Sequence, residues 1–295
     1  MRLGVMVEER GDLEHVRTSI RGIAEDGFAT AWIPQLMGLD ALMAIALAAD
    51  AAPDLELGTA VVATYPRHPI ALAQQALTAQ VATGGRLVLG IGVSHRFVID
   101  GVFGMSFERP AAHMREHLDV LLPLLETGTV DVTGEQLTGR VTVAVSDAPP
   151  PPVLLAAMAP RMLALAGGVA GGTITWMTGP RTLAEHIEPA LARAAADAGR
   201  PAPRLVAGLP VSVTDDIDAT KACIAEDFAI YGRVPSYRAM LDREGAAGPA
   251  DVALVGTEAD VQAGIERMFE AGTTEFVAVP YSNRDETLEV LQGLL

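Results

Sequence analysis

Hydrophobic positions along this chain switch repeatedly between two spacings. RLGVMV (2–7) is a short apolar run, and residues 12–26 then place Leu13, Val16, Ile20 and Ile23 or Ala24 on one helical stripe. The same switch recurs. TAWIP (30–34) is followed by an apolar helix at 40–51, LELGTAVV (55–62) by a helix from Ile70 to Val81, and RLVLGIG (86–92) by a helix from Arg109 to Glu126. After residue 150, PVLLAAM (152–158), GTITWM (172–177), RLVAGLPVSV (204–213) and TEFVAVP (274–280) read as strands. Their helices fall at 160–167, at 180–198, after Asp215-Asp216 and at 284–293.

Two segments break the rhythm. Residues 128–145 alternate with period two around turn signals at Gly134-Glu135 and Gly139, which predicts a β-hairpin excursion. DAPPPP (147–152) is a stiff connector that cannot be helical. Residues 229–257 form an inserted helix and loop ahead of a helix at 258–270.

Eight strands, each followed by a helix, call for parallel pairing through right-handed crossovers. That number of units in a chain of this length predicts an α/β fold, a (β/α)8 TIM barrel with an inserted hairpin and an inserted helix–loop segment, forming one domain over 1–295. A doubly wound open sheet is the runner-up. Its Gly-rich fingerprint is missing after the first strand, where the chain reads VMVEERGD.

Composition narrows the classes. The 295 residues are 50% hydrophobic, enough for a sizeable core, and no apolar run is long enough to span a bilayer. The net charge is −16, which repels nucleic-acid phosphates. The N-terminus shows no basic region leading into an apolar one, and the single cysteine, Cys223, has no partner within the chain. These features predict a cytoplasmic protein with a small-molecule partner, acting on neither nucleic acid nor membrane.

In a barrel the site lies at the C-terminal strand ends. Residues there are Glu8 and Glu9, Trp32 to Leu36, Val61 to Thr64, Gly92 to Arg96, Met158 to Arg161, Trp176 to Thr178 and Pro280 to Asn283. Gly90 and Gly92 end the fourth strand. Either they only allow a turn, or they let the N–H groups of Val93, Ser94 and His95 cradle a phosphate. HMREH (113–117) matches an inverted zinc-peptidase spacing. It lacks an evident third ligand and sits on an outer helix, so the expectation is three solvated side chains and no metal. Trp32 and Trp176 each end a strand and could pack or line a pocket. Cys223 falls inside a helix, no G-x-S-x-G elbow occurs, and no catalytic residue is assigned.

At LGTAVVATYPRHPIALAQQALTAQ and GGRLVLGIGVSH the chain resembles the bacterial luciferase-like flavin and deazaflavin oxidoreductases. It is most similar to the branch that uses coenzyme F420. The similarity extends through GFATAWIPQ, AAMAPRMLALAG, GTITWMTGP and PSYRAMLDREG. The resemblance implies an F420-dependent oxidoreductase, usually a homodimer. The alternatives are an FMN-dependent monooxygenase using O2 and a flavin-binding protein without turnover. It also implies a bulge with a non-proline cis peptide at Ala60-Val61 backing the cofactor ring. Phosphate is then held at Gly92, Val93, Ser94 and His95, with backbone contacts from Ala157, Met158 and Ala159 and a charge from Arg161. Trp32 and Trp176, from their place at strand ends, and Gln35 are the expected substrate-pocket residues. Related alcohol dehydrogenases carry an acid/base pair where this chain has Gln35 and Leu36, neither of which exchanges a proton near pH 7. Reduction of an activated double bond, or hydride transfer with solvent as proton source, therefore fits better than alcohol oxidation.

Overall fold

The structure is a computed structural model that describes residues 1–8, 12–144 and 149–295. Glu9, Val145 and the Asp147–Ala148 start of the connector lie outside the described residues. Eight strands form in the expected order: β1 Leu3–Met6, β2 Thr30–Ile33, β3 Glu56–Thr59, β4 Leu87–Gly92, β5 Val153–Leu155, β6 Gly172–Trp176, β7 Arg204–Val213 and β8 Glu275–Pro280. They follow one another round the sheet in sequence order, and β8 pairs with β1. This is the (β/α)8 TIM-barrel fold. Among the described residues no helix is long and apolar enough to cross a membrane.

The chain divides into two compact units. The first holds residues 1–6, 23–31 and 157–295. Within it β8 pairs on one side with β1 (Leu3↔Phe276) and on the other with β7 (Val206↔Glu275), and β7 also pairs with β6 (Arg204↔Gly172). At the start of these strands Glu275 is fully buried. It accepts from Arg2 Nε (3.0 Å), from Arg204 and from Thr30 Oγ1 (2.6 Å). Gly4 sits beside this group, because a Cβ there would meet Thr30 Oγ1 at 2.0 Å.

The inserted segment of this unit contains Ala229–Gly232, Pro235–Glu244 and Pro249–Asp251 as short helices. It also contains a strand, Leu254–Gly256, which pairs with Val211–Val213 of β7 and was not expected. Three residues inside a Gly- and Ala-rich run are too few to show alternation. The helix expected over 180–198 is present with a widened turn at Leu183–Ile187, where Glu188 N–H reaches back to Leu183. Pro189 follows and has no N–H to donate.

The second unit holds residues 7–22 and 32–156. Here β4 lies between β3 (Leu57↔Leu87) and β5 (Leu89↔Val153). The excursion is the expected hairpin, with Thr129–Thr133 paired antiparallel to Thr138–Thr142. Glu116 of helix Pro110–Thr127 fastens it by accepting from the backbone of Gln136 (2.7 Å) and Leu137 (2.9 Å). Pro69, Pro110 and Pro160 each open a helix, where a missing N–H costs nothing.

Candidate active site

In the second unit the site is built on a register change. Gly58 pairs with Val88, whereas Val62 pairs with Ile91. The third strand thus spends one residue more than β4 over the same span, which is a β-bulge. The Ala60–Val61 peptide inside it is cis. Thr59 Oγ1 locks the bulge to β4, donating to Gly90 O (2.8 Å) and accepting from Gly90 N–H (2.9 Å).

This geometry answers why a buried strand carries two glycines. A Cβ on Gly90 would stand 2.0 Å from Thr59 O, and one on Gly92 would stand 2.9 Å from Val61 Cγ2 and 3.0 Å from Ala156 Cβ. Both glycines are required by the protein's own packing against the bulge.

Beyond Gly92 the chain turns through half-buried Val93, Ser94 and His95. Ser94 adopts the left-handed conformation (φ 60°). The N–H groups of Val93 and Ser94 find no acceptor among the described residues. Free N–H groups at a turn favour an anion. Burial holds the His95 imidazole below its ordinary pKa, so it faces the turn as a neutral ring.

Next to the bulge lies a pair of histidines that the sequence placed in solvent. His113 and His117 are 5% and 0% exposed, which corrects that expectation. His113 stacks on Tyr65 (3.8 Å between ring centres) and its Nε2 lies 3.1 Å from Thr64 Oγ1. His117 Nε2 lies 3.3 Å from the Arg67 carbonyl, which can only accept, so Nε2 carries the proton and the buried Nδ1 has no partner. Burial and the neighbouring His113 push the His117 pKa down to about 3. The helix stripe explains the error: residues 113, 114, 117, 118 and 121 form one inward face. Glu116 points to the hairpin instead. Among the described residues no group of three or more His, Cys, Asp or Glu is placed to hold a metal.

Two of the expected pocket residues belong to this unit. Trp32 is fully buried, its ring laid over Gly58, where a Cβ would come within 2.4 Å. It is a packing residue. Gln35 Oε1 accepts from Ala41 N–H (2.8 Å), and Asp40 caps the same helix through Met43 N–H (3.0 Å), so Gln35 sets a helix start.

In the first unit, Thr173 takes both backbone groups of Ala157: its Oγ1 accepts from the N–H (3.2 Å) and donates to the carbonyl (3.0 Å). Ala157 is thus committed to the fold, contrary to the contact expected of it. Met158 and Ala159 keep N–H groups without an acceptor among the described residues. The Met158 carbonyl lies 2.9 Å from His186 Nε2. Arg161 is exposed at the start of helix Pro160–Gly168 and forms no ion pair among the described residues. Trp176, half-buried at the end of β6, joins an aromatic group with Phe228 and Tyr231 that no periodicity announced.

The luciferase-like monooxygenase family model matches residues 1–281. A Mycobacterium tuberculosis protein, assigned by inference as a coenzyme F420-dependent oxidoreductase, is 32% identical over 227 residues, covering 70% of this chain and 65% of its own length. The 5,10-methylenetetrahydromethanopterin reductase of Methanopyrus kandleri is 28% identical over 227 residues, with 70% and 64% covered. Among solved structures, coenzyme F420-dependent tetrahydromethanopterin reductase from M. kandleri superposes with a TM-score of 0.84 at 22% identity, covering 99% of this chain and 97% of its own. A likeness at that identity concerns the fold.

Proposed function

We propose that this chain, which belongs to the luciferase-like monooxygenase family, is a cytoplasmic F420-dependent oxidoreductase that moves a hydride between the deazaflavin and a small organic substrate. The observation that carries this reading is the free N–H pair of Val93 and Ser94 after the bulged strand, together with relatives named for F420 or for a methanopterin reductase. When bound, the deazaflavin supplies the hydride chemistry.

The chain's own residues have separate tasks. Val93 and Ser94 offer two N–H donors to a phosphate, with the Ser94 hydroxyl as a third. Val61, pressed against Gly92, gives a rigid apolar surface on which a flat ring can rest. In the first unit, Met158 and Ala159 offer N–H groups and Arg161 a charge to an anionic group. Gln35 and Leu36 themselves exchange no proton at neutral pH, which favours reduction of an activated double bond, or hydride transfer with solvent as proton source, over alcohol oxidation.

The enzyme works as a homodimer. Helix Ala41–Ala48 (ALMAIALA) is apolar on every face, yet Met43 and Leu47 remain 57% and 53% exposed, and a second copy covers them.

Titration of the purified protein with F420, FMN and NADPH, followed by a substrate panel with reduced F420, tests the assignment. Saturable F420 binding with turnover supports it. Tight FMN binding with O2 uptake and no F420 affinity overturns it.

A further inference from the structure

Aromatic residues are rare in this chain, at 4%, and its core is filled by aliphatic side chains. Against that background three of the four tyrosines and one of the two tryptophans share one place with Phe228. Trp176 ends β6. Phe228 and Tyr231 lie in the turn after helix Ile217–Asp227, which follows β7, and Tyr281 follows β8. β7 pairs with both β6 and β8, so the segments that follow three adjacent strands bring aromatic rings to the same cluster.

The rings meet edge to face. Trp176 lies 5.8 Å from Phe228 at 77° and 6.1 Å from Tyr231 at 75°, and Phe228 lies 5.9 Å from Tyr281. Tyr237 backs Tyr231 at 4.8 Å. All five are half-buried rather than sealed in the core. Burial raises the pKa of Tyr231 and Tyr237, so both phenols stay neutral. At the edge of the cluster Asp227 accepts from Tyr281 OH (2.5 Å). A set of partly exposed rings at the catalytic end of a barrel, edged by a carboxylate and neutral phenols, suits an uncharged flat molecule and repels an anion.

We infer that Trp176, Phe228, Tyr231 and Tyr281 form the substrate subsite, and that it takes the conjugated or aromatic ring of an uncharged substrate. This deepens the proposed oxidoreductase function and rests on it for the identity of the reaction, though not for the binding of the ring.

The test uses the whole protein carrying Trp32→Phe, which leaves Trp176 as the only indole. The probes are 2-naphthol, its saturated counterpart decahydro-2-naphthol, and 2-naphthalenesulfonate, with binding read by calorimetry and by Trp176 fluorescence. The expected result is saturable binding of 2-naphthol with a change in Trp176 emission. The saturated alcohol and the sulfonate should bind at least about tenfold more weakly. Phe228→Leu and Tyr231→Leu should each weaken 2-naphthol about tenfold while F420 affinity stays at the parental value. Tyr281→Phe keeps its ring and should bind as the parent, which controls for loss of fold.

Equal binding of the three probes, or parental 2-naphthol affinity in both leucine variants, overturns the inference. F420 is titrated separately. Naphthol binding without F420 binding would remove the proposed cofactor and leave the subsite standing, and the reverse pattern would remove the subsite alone.

Discussion

Val61 occupies the space that a side chain on Gly92 would need: a Cβ built on the glycine comes within 2.9 Å of Val61 Cγ2. The conformation of the bulge and the absence of a side chain on β4 are therefore one structural fact. From sequence alone, Gly92→Val is expected to weaken the cofactor and spare the fold. The structure predicts that both suffer. Overpacking of a buried site costs about 1–3 kcal/mol, so the melting temperature should fall by several degrees and F420 affinity with it. A variant that melts like the parent would show that the bulge does not bear on Gly92.

Ser94 should separate stability from binding. Its φ of 60° is costly for a residue with a Cβ, and glycine adopts it freely. Ser94→Gly is expected to melt no lower than the parent. Losing one hydroxyl that faces a phosphate should still weaken F420 by about 1–2 kcal/mol. Fluorescence titration beside a thermal melt reads both quantities, and unchanged affinity would place the phosphate elsewhere.

His117 gives the fold a pH dependence of definite sign. Its folded pKa of about 3 lies below the ordinary histidine value, so the unfolded chain takes up a proton that the folded chain refuses. The stabilisation is complete above about pH 6.5 and is lost as pH falls toward 3, by up to about 1.4 kcal/mol per pH unit. His113 shifts in the same direction through its own burial. Glu116 opposes the His113 shift without cancelling it. His117→Gln keeps a donor for the Arg67 carbonyl without titrating. Urea midpoints measured from pH 7 to 5 should fall less steeply in this variant, and identical slopes would contradict the assignment.

Glu275 anchors the opposite ends of the strands. Its buried carboxylate holds two arginines and Thr30 where β1, β7 and β8 begin. Glu275→Gln keeps the shape and removes the charge. Hydrogen bonds to a charged group are worth about 1.5–3 kcal/mol, and stability should drop by about that amount. F420 affinity of the folded protein should not move, because the strand starts are not where ligands bind in this fold. Chemical denaturation and cofactor titration of the same preparation would decide it.

The fold was legible because strand and helix periods alternate cleanly, and every barrel strand falls within a few residues of its expected place. At Gly92 the sequence registers a backbone need, a turn or a close approach, and the structure gives that need to packing against Val61 and Ala156. Histidines 113 and 117 were misplaced because i, i+4 spacing marks one helix face without saying whether it looks inward. The Leu254–Gly256 strand was hidden by its length. The aromatic group gave no signal because Trp176, Phe228 and Tyr281 are far apart in sequence and only the adjacency of β6, β7 and β8 unites them.

Helix Ala41–Ala48 is apolar all round. An amphipathic surface helix keeps a polar face, and this one has none. Ala41, Leu42, Ala44, Ile45 and Ala48 turn inward, which leaves Met43 and Leu47, one turn apart, facing out. Leu36 and Met37 precede them in the chain at 64% and 65% exposure. Exposed groupings of large apolar side chains mark contact surfaces. Two copies of a chain with net charge −16 repel one another over most of their surface, so association needs a face free of carboxylates. Residues 41–49 contain no titratable side chain. A closed twofold contact, the commonest arrangement of identical chains, then pairs this helix with its own copy. Light scattering should give twice 30.8 kDa for the parent and 30.8 kDa for the Met43→Glu, Leu47→Glu double variant. Since both side chains are exposed in one copy, the variant's fold should persist, as circular dichroism would show. A monomeric parent at tens of micromolar would remove the dimer, and a dimeric double variant would move the interface to another face.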